Sequence, residues 1–111
     1  MANKVYPLKR SSNFKEAASV GKKQKLASWL TIHIVHSADS KNYFGITASR
    51  KVGGAVVRNK LKRWVRNCVR TEKWPAKLDS KTVVFVFRAQ PDESFYSKLK
   101  YSEFKELFQK I

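Results

Sequence analysis

Residues 50–70 read RKVGGAVVRNKLKRWVRNCVR, a stretch that carries eight Lys and Arg residues and no Asp or Glu. Wound as a helix at about 100° per residue from Val57 to Arg70, it places Val57, Leu61, Trp64 and Cys68 within a sector of roughly 60°, with Val65 on its border. That sector is the core side. On the other side Arg58, Lys62, Arg66, Arg70 and Arg63 span an arc of about 140°, with Asn59 among them and Lys60 towards the flank. One helix therefore packs and presents cations at the same time. Ordinary solvated helices mix signs, whereas like charges at i,i+4, as in Arg58, Lys62, Arg66 and Arg70, repel by roughly a few tenths of a kcal/mol per pair. Such a ladder costs folding stability that polyanion binding can offset, so the stretch reads as a binding surface.

The rest of the composition agrees. The chain has 111 residues, enough for one compact domain spanning 1–111 and short for two. A net charge of +16 on 12.8 kDa, with a pI near 10.3, calls for a polyanionic partner, and nucleic acid is the first choice. A membrane surface is the competing polyanion. No apolar run approaches the roughly 20 residues of a membrane-spanning helix and the N-terminus lacks a signal-peptide core, so the expectation is a cytoplasmic protein with no membrane partner. A single cysteine excludes an internal disulfide, and Cys68 on the apolar stripe reads as a small core residue.

Taken in order, residues 1–10 form a basic arm with Lys4, Lys9 and Arg10, which Pro7 keeps from an early helix and which RNA could order. Asn13 and Glu16 have capping-box spacing and Gly21 is a C-terminal stop, predicting a short helix over Asn13 to Val20. A basic loop with Lys22, Lys23 and Lys25 follows. Trp29 to His36 and Tyr43 to Ser49 read as strands, and the short polar link between them predicts an antiparallel pair. The basic helix should run from about Ala55 to Thr71, before Trp74-Pro75 ends the pattern. Thr82 to Arg88, TVVFVFR, is a nearly continuous apolar run and hence a buried central strand, closed by Pro91. Tyr101, Phe104, Leu107 and Phe108 recur at helical spacing and predict a final helix near Tyr101 to Lys110. The fold class is α+β, a single-domain sandwich of a small sheet and three helices.

The basic run resembles the signature of the bacterial ribonuclease P protein subunit, in which a strand ending in Ser and basic residues leads through Val-Gly-x-Ala-Val into Arg-Asn-(Arg/Lys)-x-Lys-Arg-x-x-Arg. Ser49, Arg50, Lys51, Val52, Gly53, Ala55, Val56, Arg58, Asn59, Lys60, Lys62, Arg63 and Arg66 supply it here. The chain departs at Gly54, where the family commonly has Asn. The likeness extends to LKRSSNFKEA, to the strand over Val83 to Arg88 and to the Tyr101-Ser-Glu-Phe helix, nearly the whole chain. It implies a strand-helix-strand crossover of left-handed sense around the basic helix, against the usual handedness. It also implies that Arg58, Asn59, Lys62, Arg63 and Arg66 contact a catalytic RNA, joined by Arg50, Lys51, Lys60 and Arg70 of the same run. A second surface, a cleft between the first helix and the sheet, would hold the single-stranded 5′ leader of precursor tRNA through Phe14 and Lys15. The family's second aromatic in that cleft is Ala18 here. Trp29 and Tyr43 are read first as core aromatics.

A protein nuclease needs converging carboxylates for metal ions or a histidine pair for acid and base. His33 and His36 are three apart on a strand and point to opposite faces. The eight acids, Glu16, Asp39, Glu72, Asp79, Asp92, Glu93, Glu103 and Glu106, are scattered without a metal-binding motif. No catalytic or metal-ligating residue is expected in the chain. By resemblance the catalyst is the RNA partner, which cuts precursor tRNA with Mg²⁺ bound mainly by that RNA, and the protein is a subunit of the endoribonuclease. The alternative is a structural RNA-binding protein, such as a ribosomal protein or RNA chaperone, which shares the charge and size but does not require the two joined motifs. A DNA-binding module is disfavoured, because no helix pair offers a reading helix with Asn or Gln among small residues.

Overall fold

The computed structural model describes residues 4–8, 19 and 21–111 of the chain. Their elements are strands β1 (Val5–Pro7), β2 (Lys22–Ala27), β3 (Leu30–His36) and β4 (Asn42–Ala48), helix α1 (Ala55–Thr71) and a 3₁₀ turn (Ala76–Leu78). Strand β5 (Lys81–Phe87) and helices α2 (Phe95–Lys98) and α3 (Tyr101–Gln109) complete the order. The expected N-terminal helix, with Phe14, Lys15 and Ala18, lies outside the described residues. The basic helix and the final helix are where the apolar spacing placed them, and the one-turn α2 is an addition.

The strands form one mixed sheet in the order β1-β4-β5-β3-β2. The predicted antiparallel pairing of β3 with β4 is not found. Strand β5 lies between them, antiparallel to β3 in a register that sets Ile32 opposite Phe85, and parallel to β4 with Ile46 opposite Phe85. The reason is burial. Thr82, Val83, Val84 and Phe85 are all buried, so β5 needs neighbours on both edges and cover on both faces, and only the centre of the sheet supplies them. The connection from β4 through α1 to β5 is consequently a crossover between adjacent parallel strands.

Two basic segments expected as coil are strands. Val5–Pro7, inside the presumed arm, pairs in parallel with Asn42–Phe44, and Lys22–Ala27, the presumed loop, pairs antiparallel with β3. Both lie at sheet edges, where exposed lysines and a proline discourage pairing with another chain.

Helices α1 and α3 cover one face of the sheet. Leu61, Val65, Cys68 and Val69 of α1 and Phe104 and Phe108 of α3 are buried with Leu30, Ile32, Val83, Phe85 and Phe87 of the sheet. Phe85, without exposed surface, stacks on Phe108 at 6.1 Å and meets Phe104 edge-on at 6.1 Å. On the scale of buried aromatics, truncating it to Ala costs about 3 to 5 kcal/mol. Trp29 is a core residue as expected, ringed by Phe87, Phe95 and Tyr96. Tyr43 is half-buried beside Tyr6, and its hydroxyl donates to Asp39.

Past α1 the chain turns at Trp74, whose indole N–H donates to the Leu78 carbonyl at 3.0 Å. The β4–α1 link is set by close approach. A Cβ at Gly53 would lie 3.1 Å from Cβ and Cγ1 of Val57, whereas one at Gly54 would meet nothing within 4 Å.

Candidate nucleic-acid interface

Helix α1 carries the site, with one face buried in the core and cations exposed on the other. Its buried residues hold it against the sheet, and among the described residues neither ion pair involves it: Lys105 pairs with Glu72 at 3.7 Å and Lys110 with Glu106 at 3.1 Å. Asn59, Arg63, Arg66 and Arg70 are exposed along the helix, and Arg50 and Lys51 are exposed in the turn that precedes it. By helical spacing Asn59, Arg63, Arg66 and Arg70 share one face of α1, and Arg50 and Lys51 stand in the turn that leads into it. Guanidinium forks on such a face can grip phosphate oxygens in bidentate fashion.

The remaining cations differ. Lys62 is half-buried. Arg58 is half-buried as well, and its Nε is closed to solvent with no hydrogen-bond partner. The helical wheel explains this, since Arg58 falls between Val65 and Val69, both of which are buried. Lys60 is committed within the protein. Its Nζ donates to the Tyr96 carbonyl at 2.7 Å and lies 5.1 Å over the Trp64 ring.

Trp64 and Val57, assigned to the core sector, are only half-buried, and Trp64 lies beside Tyr101 of α3, with ring centroids 6.0 Å apart. Trp64 instead lines a groove of about 440 Å³ with Arg63, Arg66, Asn67, Arg70 and Tyr101. Asn67 and Tyr101 are groove residues that neither the cationic arc nor the motif marks. The only sequence signal was that Tyr101, on the apolar stripe of α3, carries a hydroxyl that needs a partner. It accepts from Asn67 Nδ2 at 2.8 Å.

The titratable groups have local explanations. His33 is buried, and desolvation, followed by the charges of Lys23 and Arg88, lowers its pKa, so the imidazole is neutral near pH 7. His36 is exposed on the other face, with Nδ1 3.2 Å from Lys81 Nζ. Burial pushes the Cys68 thiol up, away from the thiolate a nucleophile needs. Asp92 accepts from the backbone N–H and hydroxyl of Ser94, which lowers its pKa and defines a surface turn. Among the described residues no three His, Cys, Asp or Glu side chains gather as a metal site, and no helix is long and apolar enough to cross a membrane.

A family model described as Ribonuclease P matches residues 2–111. The chain belongs to the ribonuclease P protein family. Among curated relatives, the ribonuclease P protein component of Dictyoglomus turgidum is 34% identical over 104 residues, covering 94% of this chain and 83% of that protein. The ribonuclease P protein component of Alkaliphilus metalliredigens is 32% identical over 92 residues, covering 83% of this chain and 81% of that protein. Among solved structures, the RNase P protein from Thermotoga maritima superposes with a TM-score of 0.76 at 26% identity, covering 95% of this chain and 96% of that one. The Staphylococcus aureus RNase P protein shares the fold with a TM-score of 0.78 at 19% identity, covering 97% and 93%. Membership in the ribonuclease P family gives the basic run from Ser49 to Arg66 its context.

Proposed function

We propose that this protein serves ribonuclease P as the subunit that binds the catalytic RNA through α1 and the preceding turn, and that it holds the 5′ leader of precursor tRNA on a second surface. Arg50, Lys51, Arg58, Asn59, Lys62, Arg63, Arg66 and Arg70 are the contacts to the catalytic RNA, with Lys60 supporting them from the flank. Phe14 and Lys15 are the contacts to the leader. The RNA cleaves the precursor with Mg²⁺ that it holds itself, leaving the mature 5′ end, and the protein raises the affinity of the assembly. The observation that carries this reading is the outer face of α1, where Arg63, Arg66 and Arg70 stand exposed with no carboxylate paired to them among the described residues. Compensation of that charge by RNA phosphate offsets the self-repulsion of a chain at +16.

Reconstitution tests it. The protein alone should leave precursor tRNA intact, and adding it to the cognate catalytic RNA at low Mg²⁺ should restore leader removal. Reproducible site-specific cleavage by RNA-free protein would overturn the division of labour.

A further inference from the structure

The groove between α1 and the start of α3 has a composition suited to a single nucleotide. Its volume of about 440 Å³ lies in the lower part of the roughly 300 to 1,000 Å³ range of small-ligand sites, too small for a duplex. Three of its lining residues, Arg63, Arg66 and Arg70, carry guanidinium groups, and none carries a carboxylate. Two others are aromatic. Trp64 and Tyr101 are half-buried, their ring centroids 6.0 Å apart and their planes tilted by 55°. That arrangement offers apolar ring surface at the bottom of a cationic rim.

The groove is held in shape by the protein itself. Asn67 Nδ2 donates to the Tyr101 hydroxyl at 2.8 Å, and Asn67 Oδ1 accepts from Arg70 Nη2 at 3.0 Å, which fixes the amide between the two groups. The Lys60 ammonium, tied to the Tyr96 carbonyl, sits over the Trp64 indole and holds it as well. A preorganised site of this kind binds without first ordering its own side chains.

We propose that this groove receives one unstacked nucleobase of the catalytic RNA, packed on Trp64 and Tyr101, with the flanking phosphates held by Arg63, Arg66 and Arg70. The proposal rests on the reading of α1 as the catalytic-RNA interface and adds to it an aromatic anchor. The catalytic RNA, rather than the leader, is the occupant because Arg63 and Arg66 belong at once to the groove and to the basic face assigned to that RNA. Stacking is tolerant of base identity, so the site selects an unpaired nucleotide by its position.

Tryptophan emission gives a direct readout, since Trp29 and Trp74 are 8% and 1% exposed and Trp64 is the indole a base can reach. The protein is titrated with the catalytic RNA alone, and the unpaired nucleotides of the RNA are probed chemically with and without protein. Expected are quenching on binding and protection of a discrete unpaired nucleotide, both lost in Trp64→Leu. Loss of one base stack should weaken binding about 5- to 150-fold. The salt dependence should stay as in the unaltered protein, because no phosphate contact is removed. If Trp64→Leu does not fold, the quench and the protected nucleotide of the unaltered protein decide. Tight binding with neither quench nor protection overturns the groove proposal and leaves the role of α1 intact. Absence of saturable binding to the catalytic RNA removes the role of α1 and the groove together. Quenching that needs leader-bearing precursor, and does not occur with mature tRNA, assigns the groove to the leader and overturns the proposal.

Discussion

The Lys60 ammonium donates to the Tyr96 carbonyl oxygen at 2.7 Å and thereby ties the basic helix to α2. A lysine on a helix of cations is thus a structural strut. Hydrogen bonds to charged groups contribute about 1.5 to 3 kcal/mol, and partial exposure reduces this, so Lys60→Met should cost about 1 kcal/mol. Thermal melting should fall by several degrees, while the salt dependence of RNA binding stays close to that of the unaltered protein. A variant with unchanged melting and a shallower salt slope would instead make Lys60 a phosphate contact.

Arg63 and Arg66 should show the opposite pattern. Both are exposed with no carboxylate paired to them among the described residues. Replacing either by Gln should lower affinity for the catalytic RNA and reduce the log-log salt slope by roughly 0.7 to 0.9, the value for one phosphate contact. Melting should hold or rise slightly, as a like-charge neighbour is removed. Unchanged slopes in both variants would take the outer face of α1 out of the interface.

How much of this was legible beforehand follows from the range of the interactions. The span of α1 could be read from 3.6-residue periodicity, and β5 from an unbroken apolar run, because each is a local pattern. The neighbours of β5 could not. The short link between β3 and β4 favours a hairpin until β5, some forty residues later, takes the place between them and buries Val83 and Phe85 more fully than either edge would. Strand β2, with the sequence KKQKLA, has no alternating pattern because it borrows its order from β3. The same limit applies to the site. A helical wheel separates Leu61 from Arg66, but the fates of Arg58, Lys60 and Trp64 at the boundary depend on the sheet, α2 and α3 arriving from elsewhere in the chain.

Gly54 is the N-cap of α1, with extended backbone at φ −70° and ψ 177° and no side-chain hydrogen bond to the helix. A Cβ there would meet nothing within 4 Å. Gly54→Asn should therefore place an amide oxygen on the free N–H groups of the first turn and also restrict the unfolded chain. The expected gain is about 0.3 to 1 kcal/mol, seen as a higher urea midpoint with an unchanged m-value. The neighbouring change Gly53→Ala is the control: it crowds Val57 at 3.1 Å and should destabilise. A loss of stability in Gly54→Asn would mean that the side chain cannot reach the helix terminus.

Tyr96 makes stability depend on alkaline pH. Its ring is buried against Trp29, Phe87 and Phe95, and its hydroxyl donates to the carbonyl oxygens of Trp29 and Arg88. Burial pushes its pKa up to about 12 from an ordinary value of 10.0, because the phenolate would lose its hydration in the core. The folded pKa is thus raised above the unfolded one. The stability linked to it is fully present below pH 10.0 and is lost as pH rises through about 12. Tyr96→Phe keeps the ring contacts and removes the titration. It should be less stable at pH 7 by about 1 kcal/mol, for the hydrogen bonds lost, and its stability should decline less steeply between about pH 10 and 12. Urea unfolding of both proteins across that interval provides the comparison, with the other tyrosines and the lysines common to both. Parallel declines would show that the Tyr96 hydroxyl titrates alike in the folded and unfolded chains, and would leave its two carbonyl contacts as its whole contribution.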